Sequence, residues 1–187
     1  MAIRRLPEFS TRERPLMPEE ARPPVGLEDS IHSIQKLMSE ITETVEELPE
    51  DVLRWKPDKE VWSIAEILGH VQEAIPYWAG EIQRVAASPG AEWGRNHQDE
   101  SRLAAVAAAS QRSAGEVVAG LGNAKNNVIA VLRTLRDQDL QVEGPSGNPR
   151  WGVKPMAFVL DHLIVSHLRG HRDQIRRNLD QFAGRAG

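Results

Sequence analysis

Between Phe158 and Asn178 the chain reads FVLDHLIVSHLRGHRDQIRRN, with His167 and His171 four residues apart and Gln174 and Asn178 following at helical spacing. On a helix turning about 100° per residue from Met156, Leu160, Leu163, Ile164 and Ile175 share one apolar face. His167 and His171 fall at about +20° and +60° on that face, and Gln174 and Asn178 extend it, so an apolar seam turns polar for about three turns. Two imidazoles and two amides buried without partners cost about 1–3 kcal/mol each, so something must satisfy them. A His-x-x-x-His pair sets two ring nitrogens side by side, which is what a divalent metal accepts. The plainer alternative is a polar core satisfied from within, and the pair alone lacks a third ligand. His162, at about −120°, falls on the opposite side and reads as a surface histidine.

The elements that must position these residues are helices. Leu27, Ile31, Ile34, Met38, Ile41, Val45 and Leu48 recur in steps of four and three, a packing seam ended by Pro49. Glu50 to Lys56 reads as one short turn. Ser63-Ile64-Ala65-Glu66 is a capping box opening a second helix to about residue 87, whose seam is Ile64, Leu68, Val71, Ile75, Trp78, Ile82 and Val85. His70 lies on the flank of that seam, where a helix faces the crevice between two neighbours; an ordinary boundary histidine fits there as well as a ligand does. Glu66 and Glu73 lie further round and read as solvated. Residues 88–112 form a long connection led by Trp93, Arg95, Asn96 and His97, with an Ala-rich run at Leu103–Ala109 that suits a short helix. Ser113 and Glu116 form a second capping box, opening a helix expected over residues 114–136 that offers no His, Asp or Glu on its inner face.

Gly144-Pro145-Ser146-Gly147-Asn148-Pro149 is a loop, and Pro155 suits the first position of the last helix. Arg150 and Trp151, leading into that helix, are candidate contacts at the mouth of a site; a packing role for Trp151 fits equally. Four long amphipathic segments and no convincing strand give an all-α four-helix bundle.

The 187 residues suffice for one domain with a real core. A net charge of −4 gives no overall basic field for nucleic acid or a membrane surface, and no apolar run approaches a membrane span. With no apolar leader core, a cytoplasmic location is the default expectation. There is no cysteine, so any metal rests on His, Asp or Glu and any thiol chemistry uses a thiol from outside. Residues 1–24 carry Arg4, Arg5, Arg12, Arg14 and Arg22 among five prolines and read as a poorly ordered extension.

Trp62-Ser63-Ile64-Ala65-Glu66-Ile67-Leu68-Gly69-His70 resembles the WSxxExxxH start of helix 2 in the DinB/YfiT-like superfamily of metalloproteins, and His167 to Ile175 resembles its HxxxHRxQI segment. Leu48–Lys56 and the Leu135-x-x-x-Asp139-Leu140 stretch fit too, so the resemblance spans about residues 27–180. It implies a four-helix bundle over residues 25–183 and a three-histidine site, His70 with His167 and His171, holding zinc or nickel. Gly170 stands where many relatives carry another histidine, which leaves the ligand set intact. The superfamily includes thiol-dependent transferases and isomerases as well as hydrolase-like members, and many members dimerise, so a homodimer is compatible with the resemblance.

Three neutral imidazoles leave at least one open metal position, as catalytic sites do. The expected function is activation of a low-molecular-weight thiol, or water, for transfer to or hydrolysis of a small electrophile, with Gln174 bonding a ligand or the group it activates. Asp161 and Asp173 face away, so no general base is named. The competing expectation is a non-enzymatic metal-binding or stress-response bundle, stapled by its ion. A carboxylate-bridged di-iron site needs Glu-x-x-His pairs, and no histidine has Glu three residues before it. The zinc-protease HExxH is likewise absent.

Overall fold

The apolar seams become buried lines of side chains. The computed structural model describes residues 26–95, 99–109 and 111–185; the Arg/Pro-rich extension, Asn96 and His97 lie outside them. Helix α1 (Leu27–Val45) buries all the expected positions from Leu27 to Val45, ending one turn before Leu48. After a single turn, α2 (Glu50–Arg54), comes α3 (Ile64–Ala87), opened by the expected cap. There Ser63 Oγ accepts from the Glu66 amide at 3.3 Å while Glu66 Oε2 accepts from the Ser63 amide at 2.7 Å. The same device opens α5 (Ala114–Leu132) at Ser113 and Glu116.

A helical run closes the described chain: α6 (Met156–Phe158), a π-helical stretch (Val159–Val165) and α7 (Ser166–Gly184). The four long elements form a ring in which α1 and α3 each pack against both α5 and the α7 side. The crevice between α3 and α7 therefore lies between direct neighbours, although some 80 residues separate them in sequence.

Three local features depart from expectation. First, the last helix is not α-helical throughout. An i→i+5 ladder turns less per residue, so the 100° count from Met156 drifts. Val165 and Leu168 are buried at 5% and 0% exposure although that count sets them off the seam, whereas Leu163 is only partly buried. His162 is not an ordinary surface histidine: it stacks on Phe158 with centroids 5.1 Å apart and meets the Trp151 ring edge-on at 4.9 Å.

Second, the Ala-rich run is α4 (Glu100–Ala109), and it lies directly against α3. The close approach is at Gly69: a Cβ there would collide with Ala109 Cβ and stand 3.0 Å from the Ala105 carbonyl oxygen. This cover buries the α3 flank that carries His70.

Third, a small antiparallel hairpin pairs β1 (Glu143–Pro145) with β2 (Val153–Pro155), Gly144 facing Lys154. Three-residue strands, each ending in proline, carry no alternating pattern to read. Tertiary contact holds them instead, with the Trp93 indole donating to the Gly144 carbonyl at 2.7 Å. Among the described residues no helix is long and apolar enough to cross a membrane.

The two glycines of α3 should respond oppositely to a methyl group. Gly69→Ala forces α4 away from α3 and should cost about 1–3 kcal/mol. Gly80→Ala, with nothing within 4 Å of the added Cβ, should be neutral or stabilise by up to about 1 kcal/mol. Urea denaturation of both variants checks this; equal effects would mean that α4 does not pack at Gly69.

Candidate metal centre

His70, in the second turn of α3, is 3% exposed because α4 covers its flank. His167 and His171, one turn apart at the start of α7, face it across the crevice. His70 Nε2 lies 3.0 Å from His167 Nε2, which lies 2.7 Å from His171 Nε2. Ligand nitrogens of all three lie within 4.8 Å of one another. His70 and His171 are buried, while His167 is partly exposed.

Partners around the rings orient them. His171 Nδ1 lies 3.1 Å from Gln174 Oε1, so a proton on Nδ1 is accepted by the amide and Nε2 keeps its lone pair. Asn178 Nδ2 donates to the Trp62 carbonyl at 2.8 Å, tying α7 to the residue just before the α3 cap. The Trp62 ring lies 5.1 Å from His70 and stacks near-parallel to His171 at 6.4 Å. Of the polar positions that interrupt the α7 seam, 171 and 174 thus partner each other and 178 partners the Trp62 carbonyl.

Neutral rings cannot satisfy this cluster unaided. If His167 Nε2 carries a proton, it donates to His171 and cannot also accept from His70. If it carries none, it accepts from His70 and faces the His171 lone pair at 2.7 Å. Shared donation toward both would leave His70 protonated on Nδ1, a buried atom with no hydrogen-bond partner. Taking up a further proton is opposed by the surroundings. Burial holds His70 down to about 2, with help from the charges on His171, Arg102 and Arg95. Burial likewise lowers His171 to about 4 and sets His167 well below the ordinary imidazole value, and the charge on Arg102 adds to both.

A divalent cation resolves the conflict by taking all three lone pairs at once. Bonds of about 2.0–2.1 Å at tetrahedral angles separate donor nitrogens by about 3.3 Å, close to the spacing present. Three imidazoles also suit zinc, nickel, copper or iron chemically. The donor set fits a metal ion.

Other candidates stand elsewhere. Trp151 packs on Phe158 and His162, and the Arg150 guanidinium lies 5.1 Å over its ring. Neither side chain is in the nitrogen cluster. Glu73, read as solvated, instead forms a two-point ion pair with Arg95 at 2.5 Å for each contact. Arg172 joins Glu40 of α1 at 2.9 Å and also bonds Asp173. Two neighbours of the site went unassigned in the sequence: Trp62, which lies within the recognised motif, and Arg102, the one cation in the otherwise small-residue stretch of α4.

A family model described as the DinB superfamily matches residues 34–175. Among solved structures, the fold is similar to YfiT from Bacillus subtilis, described as "a probable metal-dependent hydrolase with an unusual four-helix bundle topology". That likeness has 16% sequence identity and a TM-score of 0.69, covering 92% of this chain and 93% of that one. The mycothiol-dependent maleylpyruvate isomerase is similar at 12% identity and a TM-score of 0.64, over 81% of this chain and 61% of its own. An uncharacterised protein from Escherichia coli UTI89 is similar at 16% identity and a TM-score of 0.58, over 88% and 98%. At these identities the likeness shows the fold. No match is found among curated proteins.

The depressed histidines make metal-free stability depend on pH. Between about pH 6.5 and the folded values, near 4 for His171 and near 2 for His70, the unfolded chain holds protons that the folded chain does not. Stability is therefore fully present above about pH 6.5 and falls as pH drops, by up to about 1.4 kcal/mol per pH unit for each ring. Urea denaturation in chelator should show a loss of about 3 kcal/mol between pH 7.5 and 5.5 from His70 and His171, and a shallower slope in His171→Phe. A flat profile would contradict burial of the rings in neutral form.

Proposed function

The chain belongs to the DinB superfamily, and from that premise we propose that it is a divalent-metal-dependent enzyme acting on a small electrophilic molecule. The observation that carries this reading is the approach of three Nε2 atoms from two helices to 3.0 and 2.7 Å, with no arrangement of protons on neutral rings that satisfies them beside the Gln174 bond. His70, His167 and His171 would hold the ion, with zinc or nickel suited to the donor set. When bound, such an ion acts as a Lewis acid and lowers the pKa of water or of an external thiol beside it.

The chain's own groups supply orientation and exclusion. Gln174 fixes the His171 tautomer, which keeps Nε2 aimed into the cluster. Trp62 walls the buried side, so reactants enter where His167 is partly exposed. Among the described residues the cluster contains no carboxylate, so the reading assigns proton removal to no Asp or Glu. Thiol transfer and hydrolysis both fit this arrangement, in keeping with a thiol-dependent isomerase and a described hydrolase on the same fold. Arg150 and Trp151 are proposed contacts for the distal part of the substrate.

Elemental analysis of protein purified without a histidine tag tests the site. Close to one ion per chain is expected in the native protein, and little or none in His70→Ala. Equal occupancy in both would remove His70 from the ligand set. Gln174→Leu should bind the ion about 10- to 100-fold more weakly. Full occupancy without turnover on any thiol–electrophile or ester pair would leave a metal-stapled bundle instead of an enzyme.

A further inference from the structure

Helix α4 covers the flank of α3 that carries His70 with little packing of its own. Of its ten residues only Val106 and Ala109 are buried, and it rests chiefly on α3. At Gly69, the residue before His70, the two helices approach too closely to admit even a methyl group. The space beside His70 is therefore filled by a short helix that few buried side chains hold in place.

Polar contacts at its two ends do most of the holding. Asp99 accepts from the Arg102 amide at 3.1 Å, at the start of α4, and from Arg95 at 3.0 Å. Arg95 in turn forms its two-point pair with Glu73 of α3 at 2.5 Å and lies 3.9 Å over the Tyr77 ring. The Arg95 and Glu73 side chains are 10% and 19% exposed, so water competes weakly for them and parting them is costly. Beyond the other end, Arg112 donates to Gln72 of α3 at 2.8 Å.

The three histidines cannot take an ion without moving. Their Nε2 atoms stand at 3.0 and 2.7 Å, and tetrahedral coordination spreads donors to about 3.3 Å. Gln174 holds His171, so room has to come from the His70 side, where α4 lies. The closed arrangement also leaves His70 Nδ1 buried without a hydrogen-bond partner among the described residues. Lifting α4 makes room for the ring and admits water to its flank, which offsets part of the cost of opening.

Resting on the metal reading above, we propose that α4 is a latched cover. Its Asp99 end lifts from α3 when the Glu73–Arg95 pair parts, and the ion enters and leaves the three-histidine site while the cover is open. The latch then sets how fast the ion exchanges, with little effect on how tightly it is held.

The chain has no cysteine, so one introduced thiol reports the opening. In chelator, Val106→Cys should react with a thiol reagent about 100-fold faster than Ile34→Cys, a position in α1 that is 0% exposed and is reached by global unfolding. Adding Glu73→Gln should speed the Val106→Cys reaction about 10-fold and leave that of Ile34→Cys unchanged, which also shows that the bundle stays folded. In zinc-loaded protein, Glu73→Gln should pass zinc to a chelator about 10-fold faster at nearly unchanged affinity. Val106→Ala, which weakens the packing of α4 and spares the latch, should hasten release in the same direction and keeps the test readable if Glu73→Gln misfolds. Equal reaction of the two thiols, or zinc release unmoved by a substitution that speeds the thiol reaction, overturns the proposal. Failure of the native protein to hold zinc overturns the three-histidine site instead, and the paired thiols then still decide whether α4 opens.

Discussion

Ring nitrogens at 2.7–3.0 Å need a shared proton or a cation between them, three neutral rings here cannot supply enough protons in the right places, and the rest of this structure is arranged around that fact. Two of the three rings are buried, which withdraws the water that would otherwise supply hydrogen bonds. Burial also disfavours the imidazolium form that would provide the missing charge. The fold thus removes both ordinary ways of relieving the cluster. What remains is coordination of a cation, for which the same burial is no handicap because the ligands must be neutral in any case.

Such a cluster needs a scaffold that resists relaxing it, and several contacts supply that. Asn178 holds α7 to the backbone at Trp62, one residue before the cap that starts α3. The start of α3 is therefore fixed to α7 about two turns beyond His171 by a buried hydrogen bond as well as by apolar packing. Gly69 lets α4 lie against α3 beside His70 and close the flank. Across the bundle, Arg172 joins α7 to Glu40 of α1, so α7 is held from two sides. Rigidity matters because a metal site is defined to a few tenths of an ångström, and side chains on helices locked by packing meet that demand better than side chains on loops.

Much of this was legible in the residues, for identifiable reasons. Leu27 to Val45 and Ile64 to Val85 carry a period that only a helix buries, and Ser63–Glu66 marks a helix start by a mechanism local to four residues. His167, His171, Gln174 and Asn178 stood out because polar groups on an apolar line require partners. His70 was harder: whether its flank faces solvent depends on α4, whose sequence of alanines carries almost no amphipathic signal. Arg102 and the Glu73–Arg95 pair were out of reach for the same reason, since only the docking of α4 and its preceding loop brings them near. The hairpin at Glu143–Pro155 depends on Trp93, some 50 residues away, and has no pattern of its own.

The stretch Val159–Val165 bears on how such a protein can change over time. It works as an inserted count in a helix whose later residues must arrive at a fixed azimuth. Deleting one residue there would let the ladder revert to ordinary α geometry while leaving every ligand present in the sequence. His167 and His171 would then keep about the same azimuth relative to α3, because the slower turning of the seven π residues already absorbs one extra residue. A homologous chain one residue shorter before Ser166 could thus present the same face from an unbroken α-helix. The histidine motifs, rather than the spacing between Met156 and His167, are accordingly what such chains must hold in common.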